Sequence, residues 1–470
     1  MFSRYLITDS FYDLYAGRYI MANGIPHLNV ATVAAHGTAW TDQQWLAQVL
    51  YYLAWLAGGY RLLATLSAVL VASGFAVLAG LMIRRGVPPT RAFAWTLVAF
   101  AVCVGNTGIR AQSFAYPGLA VTLWLVLDDK AAAPPRPHTR TWLLVPVLVL
   151  WANTHGSVLL GAGLVIGYAG YRAVKALTKR CLKFATAYIA MACSAALAVV
   201  CTPYGIGVLS YYLRFASDRA LRHNVVEWAP PSPLNPVSWA FFAAAALVAG
   251  CLVVAWRRRA RPDPLLATLA AISLVIALTA VRNQAWFGFC GSLFAADTLA
   301  RAPDARVPML SRGFRGAVLG ALGTLALTSL AFLAVTSDGQ FYSQIPVQAI
   351  SVAAAEARRD ATVRVLGDGD SGTAMLWLHP ALFGRVGFDD RFEQYTPGEL
   401  DAYVDFLFVR GPRWQRVTRG YTIIIASKRH PRFVRALARL PGWQVSYDGA
   451  TGVVLTRRQP ASRRSWGSSR

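Results

Sequence analysis

Two carboxylates, Asp9 and Asp13, stand four residues apart near the start of the chain, within Asp9-Ser-Phe-Tyr-Asp-Leu-Tyr-Ala-Gly-Arg-Tyr-Ile20. On a helix they share a face. Aromatic neighbours that exclude water raise a carboxylate's proton affinity toward general-base work, and a pair of acids is also a seat for a divalent cation. The competing reading is a solvated loop end with two surface acids. Further polar residues stand where apolar stretches end: Arg110, the Asn153-Thr-His155-Gly156 run, Tyr204 after Pro203, Glu227-Trp228 and Arg282-Asn283-Gln284. Ionisable residues at membrane depth are costly and face a cavity or a partner, and two arginines suit a phosphate or pyrophosphate. Taken singly, each also reads as an interfacial anchor, and His155 as a helix-end histidine bonded to backbone.

A third motif fails on its chemistry. Gly367-Asp-Gly369-Asp-Ser-Gly372 matches the glycine spacing of a dinucleotide-binding turn, with Asp389 and Asp390 about twenty residues on. Asp368 and Asp370 would bring negative charge to the place of the pyrophosphate, and the helix that follows is short. A calcium loop fares no better, because His379 occupies the position of the bidentate Glu.

The elements that must position these residues are about ten apolar stretches, near residues 61–83, 91–105, 112–127, 141–155, 157–174, 184–202, 237–256, 264–281, 284–300 and 314–336. Their Leu/Ala/Val-rich composition lacks the alternation of a membrane barrel, so helices are expected. The fold class is an all-α multi-pass membrane bundle with a small C-terminal α/β soluble domain. Boundaries are expected as a first external loop with amphipathic helices over 1–60, a transmembrane bundle over 61–336, the α/β domain over 340–457 and a disordered tail over 458–470. Within the α/β domain, strands are expected at Val363 to Leu366, Arg385 to Phe388, Tyr421 to Ala426 and Trp443 to Tyr447, and helices at Pro397 to Phe408 and Pro431 to Leu440.

Every second connection is basic: Arg84, Arg85 and Arg91; Lys130, Arg136 and Arg140; Arg172 to Lys183; Arg257 to Arg261; Arg301 to Arg315. Lys and Arg resist translocation, so these connections are placed inside and the polar, motif-bearing ones outside. The first loop and the C-terminal domain are therefore expected to be extracytoplasmic, in a cell-membrane protein. The formal charge of +24 is dispersed over separate short loops, which makes it a topology signal and argues against nucleic-acid binding. Exporting sixty residues ahead of the first apolar stretch has no evident address, so a membrane helix preceding residue 1 is expected. The six cysteines lie in or beside apolar stretches with no metal-type spacing and read as packing residues.

The run Asp9-x-Phe-Tyr-Asp-Leu-x-x-Gly17-x-x-Ile-x-x-x-Gly24-x-Pro26, followed by Trp40-x-x-x-x-Trp45-Leu, resembles the first external loop of bacterial polytopic proteins related to GT-C type glycosyltransferases. The resemblance continues through Trp151-x-Asn-x-His-Gly156, Pro203-Tyr-Gly205, Glu227-Trp228, Arg282-Asn283 and the region from Gly367-Asp to Asp390-Arg391, and so covers nearly the whole chain. It implies transfer of a sugar from a polyprenyl-phosphate donor to a lipid, glycan or protein acceptor on the outer membrane face. It assigns the base, or a metal-associated group, to Asp9 first and Asp13 second, and phosphate or substrate binding to Arg110, His155, Tyr204, Glu227 and Arg282. No cofactor is fixed by it beyond a divalent cation as one option. The relatives usually carry His where this chain has Asp13, and two Trp in place of Phe11 and Tyr12, so which acid acts stays open. A non-catalytic membrane scaffold or lipid-binding protein is the alternative from a different class, and a transporter the third, though clear inverted repeats are not evident.

Overall fold

The computed structural model of the chain describes residues 6–131, 137, 139–302, 331, 335–343, 345–369 and 371–458. Most of the apolar stretch 314–336, the basic residues Arg306, Arg312 and Arg315, and residues 459–470 of the expected tail lie outside the described residues. Two compact units emerge: one of residues 16–25 and 41–341, the other of residues up to 15, 26–40 and from 342 onward.

The first unit is a helical bundle. Helix α1 (Thr8–Asn23) enters it at Ala16, and there follow α2 (Trp45–Arg84), α3 (Pro89–Cys103), α4 (Ala115–Ala131), α5 (Leu144–Thr154), α6 (Val158–Thr178), α7 (Leu182–Val200), α8 (Gly207–Ser217), α9 (Arg219–Asn224), α10 (Trp239–Arg257), α11 (Pro264–Ala277) and α12 (Gln284–Ala300). Nine of these, from α2 to α12, lie on the apolar stretches between residues 61 and 300. Trp45–Arg84, Leu182–Val200 and Pro236–Arg257 are long and apolar enough to cross a membrane. Helix α5 is not: its 11 residues rise about 16 Å, because the polar Asn153–Gly156 run ends it. Helix α2 is broken at Gly58 and Gly59, where φ of +62° at Gly59 suits a residue without Cβ, so the apolar stretch 61–83 forms its second limb. At Gly17, α1 presses onto α2 so closely that a Cβ would stand 2.3 Å from the Gln48 carbonyl oxygen.

Helix α12 is buried on every side from Gln284 to Thr298 and packs against α3, α10 and α11, as expected of a helix at the centre of a bundle. Phe289 of α12 meets Phe75 of α2 at 4.9 Å between ring centres and stacks on Tyr116 of α4 at 5.8 Å.

The helix ends that carry the basic connections are joined by ion pairs. Arg85 binds Asp297 at 2.7 Å and Asp263 at 2.9 Å, Arg301 binds Asp297 at 2.7 Å, and Lys130 binds Asp263. Nearby in sequence, the fully buried Asp129 accepts hydrogen bonds from Thr141 at 2.9 Å, Tyr168 at 2.7 Å and Tyr188 at 2.8 Å, with Arg172 at 3.9 Å. The basic residues of these loops thus bind the acids that end neighbouring helices. Removing one partner of a buried pair strands the other charge, which costs about 3–5 kcal/mol. Asp297→Ala is therefore expected to lower the thermal unfolding midpoint of the detergent-solubilised protein by several degrees, measured by intrinsic fluorescence, with Ala in place of exposed Glu356 as a neutral reference.

The second unit is α/β. Its helices are α13 (Val347–Arg359), α14 (Gly372–Leu378), α15 (Pro397–Phe408) and α16 (Pro431–Ala438). Strands β1 (Val365–Gly367), β2 (Ile423–Ser427), β3 (Trp443–Asp448) and β4 (Gly452–Arg457) lie in the order β1-β2-β4-β3. The β1–β2 pair is parallel and spans α14 and α15 as its crossover; the β3–β4 hairpin adds antiparallel to β2. Helix α15 starts on a capping box in which Thr396 and Glu399 satisfy each other's backbone N–H groups. Arg385 to Phe388, expected as a strand, makes only single bridges, from Val386 to Val365 and to Thr32. Its edge is used instead by the N-terminal segment, with the Val33 N–H on Val386 O at 2.8 Å and the Gly384 N–H on Ala31 O at 2.8 Å. Residues 26–40 are thus part of this unit's fold, a pairing too distant in sequence for strand periodicity to reveal.

Candidate anion site and its supports

The polar end of the bundle is built from two short 3-10 turns held together by backbone. Val226–Trp228 carries Glu227, Val281–Asn283 carries Arg282, and the Val281 N–H donates to Ala229 O at 3.0 Å. Trp228 lies between the Phe215 ring, 4.5 Å away edge to face, and the Arg282 guanidinium, 4.2 Å from the indole centre. Arg110, 6% exposed, begins the turn Ala111–Phe114, and its carbonyl accepts from the Tyr51 hydroxyl at 3.0 Å. Its guanidinium grips Glu227 with both terminal nitrogens, at 3.2 and 2.9 Å. Burial opposes ionisation of Glu227, but the charge and hydrogen bonds of Arg110, with Arg282 behind, hold its carboxyl below the usual range. The carboxylate is half-exposed, so solvent screens part of the pair's strength.

His155 joins this group, since Arg282 and Arg110 both act electrostatically on its ring. Its tautomer follows from its neighbours. The Ser157 N–H donates to Nδ1 at 3.2 Å, and the Ser157 hydroxyl, 2.7 Å from Nδ1, itself accepts from the Trp151 indole N–H at 3.1 Å. Nδ1 is therefore the acceptor, and Nε2 carries the proton as a donor. Arg110 and Arg282 both act on Glu227, and both act on His155. Guanidiniums with a neutral imidazole donor are the groups that hold a phosphate.

Tyr204 stands elsewhere, beside Asp42; burial, with Asp42 adding to it, pushes its hydroxyl above the ordinary tyrosine range. Asp42 is 1% exposed and accepts from the Gln48 side chain at 3.0 Å. Sequence reading passed over this acid because nothing in its spacing between Trp40 and Trp45 marks it. The motif residues around it are supports: the Trp45 indole donates to Asn153 Oδ1 at 2.8 Å, and Asn153 donates to Cys201 O at 2.8 Å, tying α2, α5 and the end of α7.

Asp9 and Asp13 belong to the α/β unit, one turn apart on α1, with Asp13 1% exposed and Asp9 half-buried. That unit is centred on a charge to which the sequence assigned no structural role. Arg391, 1% exposed, binds Asp389 at 2.7 Å, donates to Asn29 Oδ1 at 2.9 Å and lies 4.2 Å over the Trp40 ring. The Tyr15 and Tyr395 hydroxyls close on the same carboxylate at 2.5 and 2.9 Å. The glycine-rich motif is likewise structural. Asp368 accepts from the Ser371 N–H at 2.9 Å, the Ser371 hydroxyl at 2.5 Å and the Ser427 N–H at 2.5 Å, and a Cβ on Gly372 would meet Phe388 O at 2.5 Å. The carboxylate thus occupies the backbone donors that a phosphate would need. Among the described residues no three His, Cys, Asp or Glu side chains gather to hold a metal ion, and Asp370 lies outside them.

Two outcomes test the buried centre. Arg391→Met leaves Asp389 without its cation and is expected to cost about 3–5 kcal/mol, read as faster proteolysis of the α/β unit in the full chain. Burial first, then the Asp389 charge, raises the Tyr15 and Tyr395 hydroxyls above their ordinary value of 10.0, less the opposing effect of Arg391. The unfolded chain then loses these protons first as pH rises. Stability is therefore full below about pH 10 and falls above it, by up to about 1.4 kcal/mol per pH unit for each tyrosine, and Tyr395→Phe flattens the fall in pulse proteolysis.

No family model matches the chain, and no curated protein matches it. Among solved structures, the fold is similar to that of the archaeal oligosaccharyltransferase AglB from Archaeoglobus fulgidus, in complex with an inhibitory peptide and a dolichol-phosphate. The likeness has 12% identity and a TM-score of 0.52, and covers 91% of this chain and 66% of that one. It is also similar to ArnT from Cupriavidus metallidurans bound to undecaprenyl phosphate, with 13% identity, a TM-score of 0.51, and coverage of 96% and 94%. The chain therefore spans somewhat less than two thirds of the archaeal protein and nearly all of ArnT. At these identities the fold is what is shared: a mostly helical, GT-C-like architecture with a small C-terminal sheet.

Proposed function

We propose that the chain is an integral, multi-pass cell-membrane glycosyltransferase-like protein that moves a sugar from a polyprenyl-phosphate donor to a lipid, glycan or protein acceptor on the extracytoplasmic side. The observation that carries this reading is the meeting of Arg110 and Arg282 on Glu227 at the polar end of the bundle, with both also acting on His155. The positive-inside bias supports placing that end outside. The polyprenyl phosphates bound by the two similar structures supply a chemistry to which these donors are suited.

In the proposed reaction the acceptor oxygen forms a bond to the anomeric carbon as the bond from that carbon to the lipid phosphate oxygen breaks. The bonding pair leaves with the phosphate, and the configuration inverts. Arg282 and Arg110 stabilise the negative charge as it develops there, and His155 donates Nε2–H to a phosphate oxygen. An aspartate, Asp9 first and Asp13 second, takes the acceptor proton. No step is routed through a cation, because the described side chains do not assemble a donor set for one.

The test is sugar transfer by purified full chain from a panel of radiolabelled polyprenyl-phosphate sugars. Arg282→Ala is expected to lower kcat/KM by about 10²–10³-fold, the loss typical of one transition-state donor. Asp9→Asn or Asp13→Asn is expected to abolish turnover with the fold intact. No transfer from any donor by folded protein, or charge changes that are silent, would move the assignment to a lipid-binding scaffold.

A further inference from the structure

The α/β unit carries a face of one sign. From Phe406 to Tyr447 the sequence has nine Arg and Lys residues and no Asp or Glu. The fold concentrates them. Arg413, Arg416 and Arg419 recur every three residues along the 3-10 turn Trp414–Thr418 and its flanks, the period at which side chains of such a turn eclipse. Arg432, Arg435 and Arg439 recur at three and four along α16, opposite Phe433 and Leu437, which are buried. The buried ring of Phe406 joins the two elements, 6.0 Å from Trp414 and 4.9 Å from Phe433 between ring centres. All six of these arginines are exposed, and among the described residues none of them has an ion pair. At the end of α15, Phe408 is 62% exposed, with the Arg410 guanidinium 4.7 Å over its ring. Lys428, between the two elements in sequence, binds Asp448 at 2.6 Å.

We propose that this arginine face docks the α/β unit onto an anionic lipid surface, the guanidiniums on headgroup phosphates and Phe408 in the interfacial layer. An exposed aromatic ring set among cations is the combination that binds a membrane interface; a soluble polyanion has no use for the ring. The chain also carries helices long enough to cross a bilayer, so the lipid surface is present at high effective concentration. The inference stands independently of any transfer activity.

The experiment is hydrogen–deuterium exchange of the full chain in nanodiscs, of phosphatidylcholine alone or with about one third phosphatidylglycerol. Peptides covering Phe408–Thr418 and Pro431–Ala438 are expected to exchange severalfold more slowly in the anionic discs, and to lose that protection in about 0.5 M salt. The combination Arg413→Gln, Arg416→Gln, Arg432→Gln and Arg435→Gln is expected to abolish the difference, while β1 and β2 keep their protection as proof of folding. If this combination does not fold, Phe408→Ser alone is expected to reduce the difference. Equal exchange in the two discs would overturn the proposal. So would protection that heparin confers in phosphatidylcholine discs and phosphatidylglycerol does not, which would assign the face to a soluble polyanion.

Discussion

A charge taken out of water must be answered by another, and both units of this protein are arranged around that constraint. In the bundle, Arg85 is held between Asp263 and Asp297, Asp129 is ringed by three hydroxyls and Arg172, and Arg110 is gripped by Glu227. In the α/β unit, Asp389 and Arg391 are sealed by two tyrosines, an asparagine and an indole. Such pairs are weak evidence of net stability, because desolvation consumes most of their attraction. Their effect is on specificity: a helix slipped by one turn would leave a charge alone in a low dielectric, so the arrangement of helix ends is fixed.

The two ends of the bundle differ in how this is done. At the end with basic connections the buried Asp129, Asp263 and Asp297 are met by Arg172, Lys130, Arg85 and Arg301. At the other end arginines from two separate turns act on Glu227. Arg110 grips a half-exposed Glu227, Arg282 acts on the same carboxylate, and both act on His155, whose Nδ1 accepts from Ser157. Glu227 there has the geometry of an anion received in a fork, the geometry in which a guanidinium also receives a phosphate.

The helices were legible because apolar runs in a membrane bundle are read directly from composition: α12 spans Gln284–Ala300, as the apolar stretch 284–300 predicts. Within the α/β unit α15 was equally plain, since Thr396, Pro397 and Glu399 mark its start. What failed was long-range. Arg385 to Phe388 has strand composition and bridges Val365 on one side, but its other edge is taken by residues 31–34, and no periodicity announces a pairing across the whole chain. Strand β4 (Gly452–Arg457), which returns on β3 after a turn of three residues, was not expected from the sequence. In the candidate site, Arg110, Glu227, Arg282 and His155 were visible as costly residues at span ends. Asp42 and the Asp389–Arg391 centre were not, because their meaning lies in partners far along the chain.

That Arg110 and Arg282 hold a lipid phosphate at the polar end of the bundle is the central proposal, and lipid binding tests it most directly. Native mass spectrometry of the full chain would compare a polyprenyl monophosphate with the corresponding polyprenol, in the unaltered protein and with Arg110→Gln and Arg282→Gln. The account predicts a preference for the phosphorylated lipid that falls at least about tenfold when both guanidiniums are removed, the loss expected of charge-assisted donors. Equal binding of the two lipids, or a preference indifferent to both substitutions, would contradict it.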